Sequence, residues 1–431
     1  MIRVEGSSAG TLKLAGFPRG FPAPSDSIIH SGPDMSNLFT PIKIGDLEVK
    51  NRFVHSATYE ALAKETGEVT EELVNRYRTL AKGEVGLIIS SHLFVHPLGR
   101  AHKYQAGIHS DDMIPGLRKV AEAVHQEGGR ILFQLSHAGR QTSKDVIGRT
   151  PLGPSHVGRD PVKFVKPKKM SEEEIREAIQ AFGKAAKRAA EAGADGVQLH
   201  AAHGYLINQF LSPFFNRRKD DWGESDQNRF RFLKEVLLEV KEPLPRGMPI
   251  LVKINAHDYT PGKGITPPLA AKYAAWLKDL GIDGLEVSCG SVVYSFMSTC
   301  RGDVPVRELV RALPWWEKPF GSVVLRSLAR KYRFQEAYNL EAAKMIKAAL
   351  GEIPLLLVGG LRRVRQMEEI LDKGYADLIS MGRPFIREPF LVKHFKAGKA
   401  DRAACVSCNR CLAALPNDLP VRCYNKGFPA K

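Results

Sequence analysis

GVQLHAAHGYLINQF, residues 196–210, sets a short apolar run directly before two histidines three residues apart and a tyrosine two beyond the second. The run reads as a buried strand, with His200, His203 and Tyr205 crowded at its end. Working outward, seven more runs of the same kind alternate with amphipathic helical stretches: RFVHSA (52–57), VGLIIS (85–90), RILFQLS (130–136), PILVKIN (249–255), DGLEVS (283–288), PLLLVGG (354–360) and ADLISMG (376–382). Near-continuous apolar strands bounded by Gly, Asp or Pro and separated by helices belong to a parallel sheet covered on both faces. Eight of them predict an α/β fold, a closed (β/α)8 TIM barrel. Chemistry in such a barrel lies at the C-terminal ends of the strands, and the polar residues gather there: Ser56, Ser90, Ser91, Gln134, His200, His203, Lys253 and Arg383. Together they describe a pocket, although any one of them could be a satisfied structural residue.

The barrel is expected over residues 35–400. Residues 1–34 mix Gly, Ser and Pro without periodicity and read as a disordered extension or a misassigned start. Segment 291–340, after the sixth strand, is too long for a simple connection; it reads as a lid over the mouth, with Trp315 and Trp316 packing a local subdomain or a dimer contact as the alternative. No run of eighteen apolar residues occurs, and the N-terminus lacks a signal-peptide pattern. A soluble, cytoplasmic chain without a membrane partner is expected. Of the net charge of +16, +7 falls in residues 383–431, which hold ten Lys/Arg against three Asp/Glu. Such charge suits an acidic partner or simply a basic soluble surface.

Five segments in register, NRFVHSA (51–57), ILFQLSHAGRQ (131–141), HAAHGYLINQFLSPFFNRRKDDWGES (200–225), LVKIN (251–255) and SMGRPFIREP (380–389), resemble the old yellow enzyme family of FMN-dependent barrels. The resemblance covers most of the chain. It implies FMN as cofactor, NAD(P)H as reductant, a small unsaturated carbonyl compound as substrate, and a homo-oligomer. Gln134 would meet the pyrimidine edge of the flavin, and Ser56, Ala57 and Thr58 its N5 side, with Ser91 also at the cofactor. Lys253, a cation inside an apolar strand, would stand near flavin N1 and stabilise the reduced anion. Gly359, Gly360, Gly382 and Arg383 would hold the phosphate. His200 and His203 would hydrogen-bond a carbonyl oxygen and polarise the adjacent C=C, and Tyr205 would protonate the α-carbon. The amine-oxidising relatives replace the first histidine with tyrosine, so His200 favours alkene reduction.

The tail, residues 401–431, carries Cys405, Cys408, Cys411 and Cys423 in a C-x2-C-x2-C-x11-C spacing. Four thiolates so spaced suit a [4Fe–4S] cluster or a structural zinc, or remain free thiols. The tail resembles that of the branch containing dienoyl-CoA reductase and trimethylamine dehydrogenase, whose barrels continue into a nucleotide-binding half. A cluster here would take electrons from a separate acidic protein docking on the basic tail. Competing readings are an amine dehydrogenase, a dihydrouridine synthase type acting on RNA, and a non-catalytic flavin/iron–sulfur relay. The RNA reading lacks an appended RNA-binding module, and no nucleic-acid partner is expected.

Overall fold

The computed structural model describes residues 36–158, 166–292 and 294–429. The expected extension over residues 1–34 lies outside the described residues. The eight runs form eight parallel strands: β1 (Phe53–His55), β2 (Leu87–Phe94), β3 (Ile131–Ser136), β4 (Gly196–Ala201), β5 (Ile250–Asn255), β6 (Gly284–Ser288), β7 (Leu355–Val358) and β8 (Leu378–Met381). They close into a barrel in chain order, with β8 pairing back onto β1. Around them run α1 (Glu71–Lys82), α2 (Ile114–His125), α3 (Glu172–Glu191), α4 (Asp226–Lys241), α5 (Pro267–Asp279), α6 (Leu340–Leu350) and α7 (Val364–Asp372).

The helices form where apolar spacing and caps coincide. In α3, the Ser171 hydroxyl accepts from the Glu174 N–H at 3.2 Å and the Glu174 carboxylate accepts from the Ser171 N–H at 2.9 Å, a reciprocal cap. Ile175, Ala178, Ile179, Phe182, Ala185, Ala186 and Ala189 then fall on one buried face.

Period-two alternation divides each strand between two cores. One set points outward under the helices. The other, Val54, Leu87, Ile89, Leu132, Leu251, Leu356 and Leu378, packs into the barrel interior with Ile44 and Val49. The last two belong to an antiparallel hairpin, Ile42–Ile44 with Leu47–Val49. The hairpin closes the end where the strands begin: a Cβ on Gly45 would lie 2.7 Å from the side chain of Asp283, just before β6. The opposite end is left for the site.

Segment 291–340 folds as two helices, Val306–Arg311 and Lys318–Lys331. Their small core unites Met297, Cys300, Val304 and Tyr332 with Leu412 of the tail. Trp315 and Trp316 are 77% and 64% exposed and meet each other edge to face, outside the small core. The tail is strapped to the barrel by the Val421 N–H donating to the Glu60 carbonyl at 2.9 Å, and to the insertion by an Arg410–Glu308 ion pair at 2.7 Å. Among the described residues, no helix is long and apolar enough to cross a membrane.

Candidate active site

Moving two residues along each strand from the apolar interior leads to its polar ceiling. Val54 is followed by Ser56, Leu132 by Gln134, Leu251 by Lys253 and Leu378 by Ser380; all four polar side chains are buried. Glu286 of β6 sits among them, fully buried and opposite Lys253 in the strand register. Lys253 Nζ lies 3.2 Å from Glu286 Oε2 and donates to Ser56 Oγ at 2.9 Å. The same carboxylate accepts from Ser56 and Ser380 Oγ, each at 2.7 Å, and from Gln198 Nε2 at 3.0 Å. Gln198 Oε1 in turn accepts from Gln134 Nε2 at 2.6 Å. A buried charge survives folding only with such partners. Glu286 is not among the residues expected at the site from the sequence. The signal lay in DGLEVS, which carries its own charge inside the neighbouring apolar strand.

Above this layer stand the histidines. His200 is two residues beyond Gln198 on the same strand, with its Nδ1 buried and without a hydrogen-bond partner. His203 follows the strand in the left-handed region, φ +61°, a conformation that swings its ring back beside His200. The two rings meet edge to face with centroids 5.1 Å apart. Ser288 Oγ lies 2.7 Å from His203 Nε2, and Asn255 Oδ1 accepts from the His203 N–H at 3.1 Å. The Tyr205 ring lies 4.6 Å from that of His200, and its phenol oxygen 3.3 Å from His92 Nε2.

His92 replaces a residue expected here. Ser91 was assigned to the cofactor, but its side chain does not reach the cavity. Strand β2 runs four residues beyond the expected end, and its pairing with β3 shifts between Ile89 and His92. The extra residue moves the inward position from 91 to 92. Ser91 therefore turns away, its hydroxyl to the buried Glu60 carboxylate and its backbone N–H to the Tyr77 hydroxyl at 2.7 Å, while His92 faces the mouth.

Burial depresses five histidines in this region. His55 and His137 fall to about 3 and His92 to about 4, while His200 and His203 lie well below 6.5, desolvation being the largest cause throughout. Repulsion from His203, His92 and Lys253 adds to the depression at His200. The site histidines are thus neutral at neutral pH. Groups whose folded pKa is lowered take up protons on unfolding, so their contribution is complete above about pH 6.5 and is lost as pH falls toward the folded values. Each costs about 1.4 kcal/mol per pH unit in that window. The urea midpoint should accordingly drop steeply between about pH 6.5 and about pH 5. A flat midpoint across that range would contradict the burial of neutral rings.

At the far side of the cavity Gly359 and Gly360 follow β7, and Gly382 and Arg383 follow β8. Gly360 has φ +75°, and a Cβ there would lie 2.4 Å from the Gln335 carbonyl, so only glycine fits. Arg383 is tied to the insertion through the Cys300 carbonyl at 3.2 Å and to the tail through Asn409 Oδ1 at 2.5 Å. Ser56, Ala57, Thr58, Gln134, Lys253, His200, His203, Tyr205 and these four residues all line one cavity of about 1360 Å³, its open mouth included. Its donor set fits FMN: an amide and a cation on the ceiling of the barrel core, glycines and an arginine at the phosphate end, and an unsatisfied His200 nitrogen above.

The four tail cysteines are free and line a second, smaller cavity. Arg383, Ile386 and Ser407 form a wall common to both cavities. Burial pushes the Cys411 thiol up to about 12 and raises Cys405 as well. Among the described residues no three His, Cys, Asp or Glu side chains are gathered to hold a metal ion.

Comparison with known proteins agrees with this geometry. The chain is 37% identical over 358 residues to the NADPH dehydrogenase of Bacillus subtilis (strain 168), covering 83% of this chain and 93% of that protein. It is 35% identical over 378 residues to the NADH oxidase of Thermoanaerobacter brockii, covering 86% of this chain but spanning only about half, 53%, of that longer protein. The solved structure of the old yellow enzyme homologue from Zymomonas mobilis superposes with a TM-score of 0.68 at 27% identity, covering 86% of this chain and 96% of that one. A family signature matches residues 37–309 and 325–402, breaking only inside the insertion and stopping before the cysteines. With barrel, cavity and sequence in agreement, the chain belongs to the NADH:flavin oxidoreductase / NADH oxidase family.

Proposed function

We propose that this chain is an FMN-dependent NAD(P)H oxidoreductase that reduces the activated C=C of small α,β-unsaturated carbonyl compounds. The observation that carries the reading is the convergence of His200, His203 and Tyr205 above the Gln134–Lys253 layer in one cavity. FMN, when bound, supplies the hydride. Gln134 holds the pyrimidine edge through an amide that both donates and accepts. Lys253 would place a fixed cation beside the cofactor, and its pairing with Glu286 keeps that cation in register. Gly359, Gly360, Gly382 and Arg383 hold the phosphate.

His200 Nδ1 and the second ring nitrogen of His203 bind the substrate oxygen. Both rings are neutral, so they stabilise developing negative charge without first giving up a proton to solvent. Ser288 and Asn255 fix His203 for this task. Tyr205, whose phenol burial holds protonated, supplies the proton to the α-carbon. Segment 291–340 acts as the lid: Thr299 and Cys300 at one end and Phe334 and Tyr338 at the other line the cavity. Acid precipitation of purified protein should release FMN into the supernatant. Colourless protein that cannot be reconstituted with FMN would end the reading.

For the tail, we propose that Cys405, Cys408, Cys411 and Cys423 hold a [4Fe–4S] cluster, supported by their opening onto a single cavity beside the flavin site. An acidic electron-transfer protein would then deliver electrons through the basic tail. Anaerobically prepared protein should contain about four irons per chain. Zinc at about one per chain, with NAD(P)H reducing the flavin equally in cysteine-to-serine variants, would make the tail a structural clip.

A further inference from the structure

The phenol of Tyr205 is 5% exposed, and the only hydrogen bond found for it among the described residues is to His92 Nε2 at 3.3 Å. His92 is itself buried, with its ring centroid 5.2 Å from that of Tyr205. Beyond it stands His102, edge to face at 6.0 Å, and His102 stacks on Tyr59 at 4.6 Å. His102 and Tyr59 line both the site cavity and a separate surface cavity bounded by Lys103, Tyr104 and Leu419. A row of rings thus leads from Tyr205 toward the surface.

A buried phenol that gives away its proton leaves a phenolate in a poor solvent for charge, and it must be refilled in each turnover. The depressed basicity of His92 keeps its ring neutral, with one nitrogen donating and the other accepting. With the proton on Nε2, His92 donates to the phenol oxygen and leaves the phenol hydrogen free for the substrate. We propose that His92 is the residue that reprotonates Tyr205, drawing its replacement proton from the surface on the His102 side. The step balances as two transfers: the Nε2 proton moves to the phenolate oxygen, and an incoming proton binds Nδ1, leaving a neutral imidazole in its other tautomer. No electrons move. The inference rests on the role proposed above for Tyr205; His92 lines the same cavity and acts on the reaction through the Tyr205 phenol.

The holoenzyme and its His92→Phe, Tyr205→Phe and double variants decide the matter. His92→Phe should slow enone-driven flavin oxidation on the order of tenfold or more, the size of a lost proton-transfer partner. It should also change the pH profile, while leaving the flavin spectrum and the affinity for p-chlorophenol unchanged. The double variant should be no slower than Tyr205→Phe alone. In protein labelled with ¹⁵N-histidine, one buried imidazole Nε2–H resonance should shift on Tyr205→Phe, a signature independent of turnover. Wild-type rate and pH profile in His92→Phe, with Tyr205→Phe impaired, would remove the relay and leave the reading of Tyr205 standing. A double variant slowed by the product of the two single losses would also overturn it. Wild-type oxidation in Tyr205→Phe would remove the role of Tyr205 and the relay together.

Discussion

His200→Ala or His203→Ala should slow oxidation of the reduced flavin by an enone by about a hundredfold or more, the loss expected when one preorganised oxyanion donor is removed. Desolvation keeps both rings neutral, His200 buried and His203 half-buried, so under the proposed reading each N–H would meet the substrate oxygen with little competing water. The two losses should not be equivalent. His203 is held by Ser288 and Asn255, whereas His200 Nδ1 has no hydrogen-bond partner among the described residues. Ser288→Ala should therefore weaken phenol binding through His203 by a smaller factor and leave the contribution of His200 intact. Titration with p-chlorophenol, followed by its effect on the flavin spectrum, measures both. Equal phenol affinity in wild type and both histidine variants would rule out the oxygen anchor.

Glu286→Ala should cost about 3–5 kcal/mol of folding stability, because it strands a buried ammonium rather than merely deleting a bond. Four groups lose their acceptor at once: Lys253, Ser56, Ser380 and Gln198. Replacing both charges with apolar side chains, Glu286→Leu with Lys253→Met, should recover part of that loss even though it abolishes the cation at the cofactor. Urea unfolding of the two variants separates stability from function. A double variant less stable than Glu286→Ala would mean that the pair contributes more than the charge it neutralises.

Most of the fold is legible in the sequence because the barrel strands announce themselves: each is a short apolar run bounded by Gly, Asp or Pro, and all eight runs are strands. Much of the site is legible for a related reason. In a barrel that alternates in and out, a polar residue two beyond an interior Leu or Val must face the mouth, which places Ser56, Gln134 and Lys253. The method fails where alternation breaks. The bulge in β2 exchanges Ser91 for His92, and nothing in VGLIISSHLF marks the extra residue. It fails again where function depends on a partner from another strand, as Glu286 does. In the tail the four thiols line one cavity, but spacing alone does not choose between a cluster, zinc and free thiols. Trp315 and Trp316 of the insertion stand exposed, which leaves the dimer contact, not the packing of a local subdomain, as the alternative to a lid. Apolar composition records that a surface is sticky, not what it touches.

Under the proposed function, the histidine pair and the flavin site act on one substrate in one cavity. The most direct test is anaerobic: FMN-loaded protein is reduced with dithionite, freed of excess reductant and mixed with cyclohexenone. The account predicts full reoxidation of the flavin with one equivalent of cyclohexanone formed per flavin, and a rate reduced by about a hundredfold in His200→Ala. A flavin that stays reduced in the presence of the enone, or reoxidises equally fast in wild type and His200→Ala, would contradict it.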